Sequence, residues 1–296
     1  MIFLSIIIVT YNNAANIRPC LRSLNTYIPP GIISQIILVD NASSDETIIF
    51  INEECSAFKS FITYEIIANE TNKGFAPAVN QGLQKVSGEY VMLLNPDAQI
   101  TQGMCETLIN FIQTNPEVGM VAPQHRSSDG TVQSSCRRFP TYWSVVYELV
   151  GLSKLFPPHP RFNAWKMGDF NHRANREVEQ PMGACLLTTH NAVEKVGEMD
   201  EQFTMFFNDV DWCKRFKDKN YKIMYLTDAV LVHRGGHSVY QRRSRMILLS
   251  HWGMFRYFLK YNNRWWERII NYVLFPILML TAGVRIILWC ISPKKI

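Results

Sequence analysis

Cysteine pairs are the first thing missing from this 296-residue chain. Its cysteines, at positions 20, 55, 105, 136, 185, 213 and 290, are odd in number, widely scattered and never in a C-x-x-C pair. That argues against a disulfide framework or a zinc site and favours a reducing compartment. Glycine-rich phosphate loops are missing too. The first apolar run leads into "TYNNAAN" (10–16), which holds no glycine, so neither the G-x-G-x-x-G of dinucleotide enzymes nor a P-loop is present. No basic n-region precedes "IFLSIIIVT" (2–10), which is expected to be a core strand rather than a signal peptide. No internal repeat or low-complexity linker divides the chain. Charge is sparse, at 19% of residues against 47% hydrophobic, the balance of an ordered globular protein. The net charge of +5 gathers late, in "QRRSR" (241–245), "RWWER" (264–268) and "PKK" (293–295). This suits a membrane-proximal basic surface and not a nucleic-acid partner.

What the chain does have is alternation. "FLSIIIV" (3–9), "QIILV" (35–39), "TYEIIA" (63–68) and "YVMLL" (90–94) are short, apolar and largely β-branched, as strands buried on both faces of a parallel sheet must be. Amphipathic helical patterns lie between them, on Ile17, Leu21 and Leu24, on Ile48 to Ile51, and on Val79, Leu83 and Val86. Such β-α-β units predict an open, mainly parallel sheet flanked by helices, with ligands beyond the carboxyl ends of its strands. Polar clusters stand at those ends: "TYNN" (10–13), "DNASSD" (40–45), "NETNKG" (69–74) and "NPDA" (95–98). Further strands are expected at "VGMVA" (118–122), "MGACLLTT" (182–189) and "YKIMYL" (221–226), and helices around 191–197 and 209–219. The region 137–179 reads as loop and short helix, and both halves are expected to share one sheet. Residues 269–291 form a long apolar stretch, enough to cross a bilayer, which needs about 20 residues. Pro276 and Arg285 argue against a simple span, and the tryptophans and arginines before it fit interfacial anchors. A helix lying in the membrane, a span and a buried or oligomer-forming helix stay open.

Several residues carry two readings. Asp40 can accept hydrogen bonds from a ribose or base edge, or it can close an Asx-turn. "NKGFAPAVNQG" (72–82) offers a glycine for close backbone approach and a lysine for phosphate, ahead of a helix start. Asp97 can bind a hard divalent cation whose other ligands come from substrate phosphate and water, or it can be a solvated turn residue. Asp209 and Asp211, two apart on a predicted helix, face nearly opposite sides, so one at most is expected in a site. A carboxylate there can serve as a general base or simply complement the helix dipole. His233 ends a strand-like run beside two glycines and can join a cation at Asp97 or be a structural histidine.

Taken in order, "SIIIVTYNN", "ILVDNASSD", "NKGFAPAVNQG", "LLNPDA", "GACLLTTHNAVEKVGEMDEQF", "FFNDVDWCKR" and "VHRGGHS" resemble the family-2 glycosyltransferases of the GT-A fold over roughly residues 3–240. Within that family the chain looks most like the bacterial rhamnosyltransferase-like group that builds cell-surface polysaccharides. The resemblance implies a nucleotide-sugar-binding half (1–100), an acceptor-binding and catalytic half of the same domain (101–240), and membrane-associating helices (241–296). Thr10, Tyr11, Asn12 and Asp40 would hold base and ribose, with Asn41, Lys73, Gly74 and Asn80 nearby. Asn95 stands where the family often has the first carboxylate of its metal loop, and Asp97 matches the second. His233 matches a histidine that joins Mg²⁺ or Mn²⁺ in some members. Asp209 matches the catalytic base, with Asn208 in place of the preceding acid. Implied with these are an inverting displacement, a nucleotide-diphosphate sugar donor, a glycan or polyprenyl-linked acceptor, and a place on the cytoplasmic face of the bacterial inner membrane. A homo-oligomer is left open. Asn95 and Asn208, where carboxylates could stand, motivate a rival reading as a catalytically silent nucleotide-sugar-binding scaffold subunit. A nucleotidyltransferase is disfavoured by the lack of a glycine- and arginine-rich loop after the first strand.

Overall fold

The computed structural model describes residues 2–203, 205–234 and 243–291. His237, the first two residues of the basic "QRRSR" and the whole of "PKK" lie outside the described residues. In chain order the elements are β1 (Ile2–Thr10), α1 (Ala14–Tyr27), β2 (Ile32–Asp40), α2 (Thr47–Cys55), β3 (Ile62–Ala68), α3 (Phe75–Leu83), β4 (Tyr90–Leu94), β5 (Ala98–Ile100), α4 (Met104–Thr114), β6 (Val118–Arg126), β7 (Cys136–Arg137), α5 (Tyr142–Leu149), α6 (Leu152–Leu155), β8 (Arg176–Glu177), β9 (Gln180–Pro181), β10 (Cys185–Thr189), α7 (His190–Val196), α8 (Asn208–Asp218), β11 (Lys222–His233), α9 (Arg243–Tyr261) and α10 (Trp265–Ile291).

The four apolar runs of the first hundred residues form parallel strands in the order β3-β2-β1-β4. The same sheet continues through β10, β6, β11 and β5, so both halves share it as expected. β10 runs antiparallel to both neighbours, β4 and β6. Its first residues therefore lie beside the carboxyl ends of those strands, and Cys185 faces Leu94. Side chains along β1 alternate between two cores, as a period of two requires. Leu4, Ile6 and Ile8 pack with Ile17, Leu21 and Leu24 of α1, while Ile7 and Val9 pack with Val79 of α3 and Trp212 of α8. Full burial of each such aliphatic side chain contributes about 1.5–3 kcal/mol.

The later strands run longer than their apolar cores suggest. β6 continues to Arg126 and β11 to His233, absorbing polar Thr227 and Asp228 at a register shift between Leu226 and Val230. That irregularity carries the strand past residues that read as its end and delivers His233 to the edge of the sheet. β5 is an unforeseen short strand, pairing Ala98 with His233. A third core joins α5, the start of α8, and α9 and α10, through Val145, Phe207, Val210, Phe255, Phe258 and Leu278.

α10 is long and apolar enough to cross a membrane by length and composition. One side of it docks: buried Asn271 donates to the carbonyls of Phe258 and Asn262 at 3.2 and 3.0 Å and accepts from Tyr142 at 2.6 Å. The Phe258 carbonyl also accepts from the Asn262 N–H at 2.8 Å, so Asn271 adds a side-chain donor at the end of α9, where helix geometry leaves the last carbonyls short of partners. The other side leaves Ile269, Tyr272, Val273, Leu280, Ile287 and Leu288 exposed.

Candidate active site

The carboxyl ends of β1, β2 and β3 close around one polar network. Asp40, 2% exposed, accepts from Thr10 Oγ1 at 2.7 Å and from the Ser43 backbone N–H at 2.8 Å and hydroxyl at 2.5 Å. The Asx-type turn is thus present, and it fixes the carboxylate at the strand ends. Asn12, at φ 52°, donates its N–H to Ser43 Oγ and accepts from the Ser44 N–H. Few residues tolerate that left-handed conformation as well as asparagine. Tyr11 beside it is half-buried. Asn41 donates to Gly74 O at 2.9 Å and accepts from Asn69, which ties the β2 and α3 loops together. Gly74, at φ 96°, starts α3, and Lys73 before it is exposed, with no ion pair among the described residues. Asn80 behaves differently from its expected place near the nucleotide. It is buried, and its amide bonds to Met199 O, Met199 N and Glu201 Oε1 at 2.9, 2.9 and 3.0 Å. Its amide ties α3 to the loop before α8.

A second cluster stands at the ends of β4 and β11. Pairing of Ala98 with His233 brings Asp97 beside that histidine, and His233 Nε2 lies 3.4 Å from Asp97 Oδ1. His233 Nδ1 is 3.2 Å from Gln133 Oε1, while Gln133 Nε2 donates to the His233 carbonyl at 2.8 Å. A proton on Nδ1 satisfies that glutamine and turns the Nε2 lone pair toward Asp97, the arrangement that orients a metal-binding imidazole. Two donors each about 2.1 Å from one octahedral cation stand about 3 Å apart, so the pair fits Mg²⁺ or Mn²⁺. Among the described residues no third His, Cys, Asp or Glu joins them, and further ligands must come from substrate or water. Asn95 is half-buried, held by its backbone to Ala184 O, and its side-chain amide has no partner among the described residues. Behind His233 lies His125, 0% exposed, its ring centroid 5.6 Å away and both nitrogens without partners. Burial pushes the His125 pKa down to about 3, aided by the neighbouring histidines, so it is neutral.

The third element is the first turn of α8. Asp209 Oδ2 accepts from Gln180 Nε2 at 2.9 Å and from the Gly183 N–H at 3.2 Å, and Oδ1 from the Val210 N–H at 2.9 Å. Burial raises the Asp209 pKa above the ordinary carboxylate value, partly offset by these hydrogen bonds, which is the direction a general base needs. A methyl group added at Gly183 would stand 3.2 Å from Asp209 Cβ, so the absence of a side chain there lets the carboxylate approach. Because Gly183 leads into β10, Asp209 sits at the same sheet edge as Asn95. Asp211 points away, as expected from the spacing. It is 0% exposed and held by Arg215 Nε, Lys260 Nζ and Tyr261 Oη at 2.9, 2.6 and 2.7 Å. It locks α8 to the end of α9.

Sequence reasoning missed Gln180, Gly183, Gln133 and His125. The glycine just before the apolar "CLLTT" was a usable signal; the other three sit in stretches whose pairing partners are distant in the chain.

The sequence model described as glycosyl transferase family 2 matches residues 5–173, more than half of the chain. The chain is similar to an N-acetylglucosaminyl-diphospho-decaprenol L-rhamnosyltransferase of Mycobacterium tuberculosis, 24% identical over 96% of this chain and 92% of that one. Among solved structures it is similar to a mannosyltransferase of Pyrobaculum calidifontis in complex with GDP-Man and Mn²⁺, with a TM-score of 0.62 and 15% identity over 98% of this chain and 76% of that one. It is also similar to GalNAc-T7 with UDP, GalNAc and Mn²⁺, with a TM-score of 0.59 and 14% identity over 79% of this chain and 44% of that one. At these identities the structural likeness speaks for the GT-A fold.

Proposed function

The chain belongs to glycosyl transferase family 2 and is a glycosyltransferase with a nucleotide-sugar donor, and from that premise we propose that it transfers a hexose, with rhamnose the leading sugar, by inversion to a hydroxyl of a lipid-linked acceptor. The observation that carries this reading is Asp209: one carboxylate with a raised pKa, oriented by Gln180 and Gly183, at the strand edge that also holds Asp97 and His233. The name of the mycobacterial relative supplies the sugar and the acceptor class.

In this reading the Thr10–Asn12 turn, Asp40, Asn41, Lys73 and Gly74 hold the base, ribose and phosphates of the donor. Asp209 takes the proton of the acceptor hydroxyl as its oxygen attacks the anomeric carbon. The nucleoside diphosphate departs from the opposite face, so the configuration inverts and no covalent enzyme intermediate forms. Asp97 and His233 would hold a divalent cation, which when bound supplies positive charge to the diphosphate as it leaves. The exposed face of α10 and the tryptophans at its start rest on the cytoplasmic surface of the membrane, where a lipid-linked acceptor is presented.

The test is transfer by the purified full-length protein with Mn²⁺ or Mg²⁺, over a panel of nucleoside diphosphate sugars that includes a rhamnose donor, with the product's anomeric configuration read by NMR. An inverted product from a rhamnose donor is expected. Retention of configuration, or full activity in Asp209→Asn, would overturn the mechanism. A donor panel with no turnover at all would favour the scaffold reading.

A further inference from the structure

One cation near Asp209 has no part in the chemistry above. Arg137 lies on β7 directly opposite Gln180 of β9. Directly opposed residues share a face of the ladder, with Cβ atoms about 5 Å apart, and Gln180 itself donates to Asp209 at 2.9 Å. Arg137 therefore stands on the Asp209 side of this small sheet, and it is half-buried.

Its protein partners are two carbonyls, Ser134 O at 2.7 Å and Cys136 O at 2.8 Å, both bonded to Nη1. Carbonyls do not neutralise a guanidinium. No described carboxylate forms an ion pair with it; of the two whose field it feels, Glu148 is held by Lys166 and Ser153 and Asp209 by Gln180 and Gly183. The neighbouring Arg138 is the contrast, closed by Asp169 at 2.9 Å and by Ala164 O. Of two consecutive arginines, one is satisfied and the other keeps Nε and Nη2 without acceptors among the described residues. An open guanidinium edge of this kind matches two oxygens of a phosphate.

The surroundings indicate which phosphate. From Arg137 the chain passes within a few residues into α5, where Tyr142 bonds Asn271 of α10 and Val145 enters the apolar core shared with α9 and α10. Arg137 thus belongs to the segment that joins the small sheet beside Asp209 to the helix packed on α9 and α10. The donor diphosphate, by contrast, is assigned to Asp97, His233 and Lys73.

We propose that Arg137 binds the phosphate of a lipid-linked acceptor, so that the acceptor hydroxyl reaches Asp209 while the lipid runs toward α9 and α10. This rests on the transferase reading above. The full-length protein is assayed with two acceptors carrying the same sugar, one as a lipid diphosphate and one as an alkyl glycoside without phosphate. The Arg137→Gln variant is expected to raise KM for the diphosphate acceptor about tenfold to a hundredfold. Its KM for the donor and its activity on the alkyl glycoside should stay unchanged, and Arg137→Lys should recover part of the loss. Binding of farnesyl diphosphate, measured without turnover, should weaken in parallel. A raised donor KM would move the residue to the donor phosphate and overturn the proposal. Equal losses on both acceptors, or farnesyl diphosphate binding unchanged in a variant with a wild-type melting temperature, would do the same. Should the wild type transfer no sugar, the transferase reading fails, while the farnesyl diphosphate measurement still decides Arg137.

Discussion

Polar groups at the two sides of the sheet's carboxyl edge are handled in opposite ways. On the side of β1, β2 and β3 they bond to one another: Thr10 and Ser43 to Asp40, Asn41 to Gly74 and Asn69, Asn80 to Met199. On the side of β7, α8 and β11, Asp97, Arg137 and Asn95 keep free hydrogen-bonding capacity and Asp209 keeps a raised pKa. The first side is a pre-shaped frame. The second retains groups whose satisfaction is deferred to substrate, which is where reactive chemistry is usually found. Helix α8 carries both treatments within one turn, Asp209 at that edge and Asp211 sealed beneath it.

That contrast predicts the largest effects. Asp209→Asn should lower kcat about 10²–10⁴-fold, the usual contribution of a general base, while the protein stays folded. The sign of the stability change follows from the raised pKa. A carboxyl whose folded pKa lies above its unfolded value contributes stability below the unfolded pKa and loses it as pH rises through the folded one. At neutral pH the ionised Asp209 is therefore a burden, and the variant's melting temperature should equal or exceed that of the wild type. For the same reason kcat/KM should fall on acidification through an apparent pKa above the ordinary carboxylate range. Asp211→Ala should do the reverse, losing about 3–5 kcal/mol because Arg215 and Lys260 are left beside an empty buried site. Chemical denaturation of the two variants side by side would break the comparison if Asp211→Ala proved as stable as Asp209→Asn.

A smaller effect separates the two faces of α10. Deleting 269–296 would remove Asn271 and Leu278 and so unravel the end of α9 along with any membrane contact. Replacing exposed Ile269, Val273 and Leu280 by serine spares that packing. Each exposed-face change should leave thermal stability within about 0.5 kcal/mol. Together they should shift the protein from the vesicle pellet to the supernatant on co-sedimentation with anionic vesicles. An unchanged distribution would remove the membrane surface from the proposed function.

The same division explains what was legible in the sequence. β1, β2 and β4 announced themselves because a strand buried on both faces must be continuously apolar, whereas β3 ends the sheet order and keeps Thr63 and Tyr64 exposed; the polar ends of all four marked the ligand edge. The spacing of Asp209 and Asp211 foretold that one at most would enter the site but not which, since their opposite directions follow from helix geometry and their partners do not. Gln180, Gln133 and Lys260 reach their partners across 29, 100 and 49 residues of chain. No local pattern encodes such contacts. Asn80 shows the converse: a motif position that resemblance gave to the nucleotide holds α3 to the Met199 loop instead.

Asn95 provides the mildest test of the open side. Its amide has no partner among the described residues at the strand end that carries Asp97, and aspartate at this position would add a second carboxylate facing the same region. Hard divalent cations favour charged oxygen ligands and bind more tightly as ligand charge rises. Asn95→Asp should therefore strengthen Mn²⁺ binding severalfold in the absence of nucleotide, measured by titration calorimetry, and strengthen it less once a nucleoside diphosphate supplies its own oxygens. The dependence on nucleotide is the informative part. If the variant bound Mn²⁺ no better than the wild type, Asn95 would lie off the cation's coordination shell, and the pair formed by Asp97 and His233 would have to hold the ion with substrate and water alone.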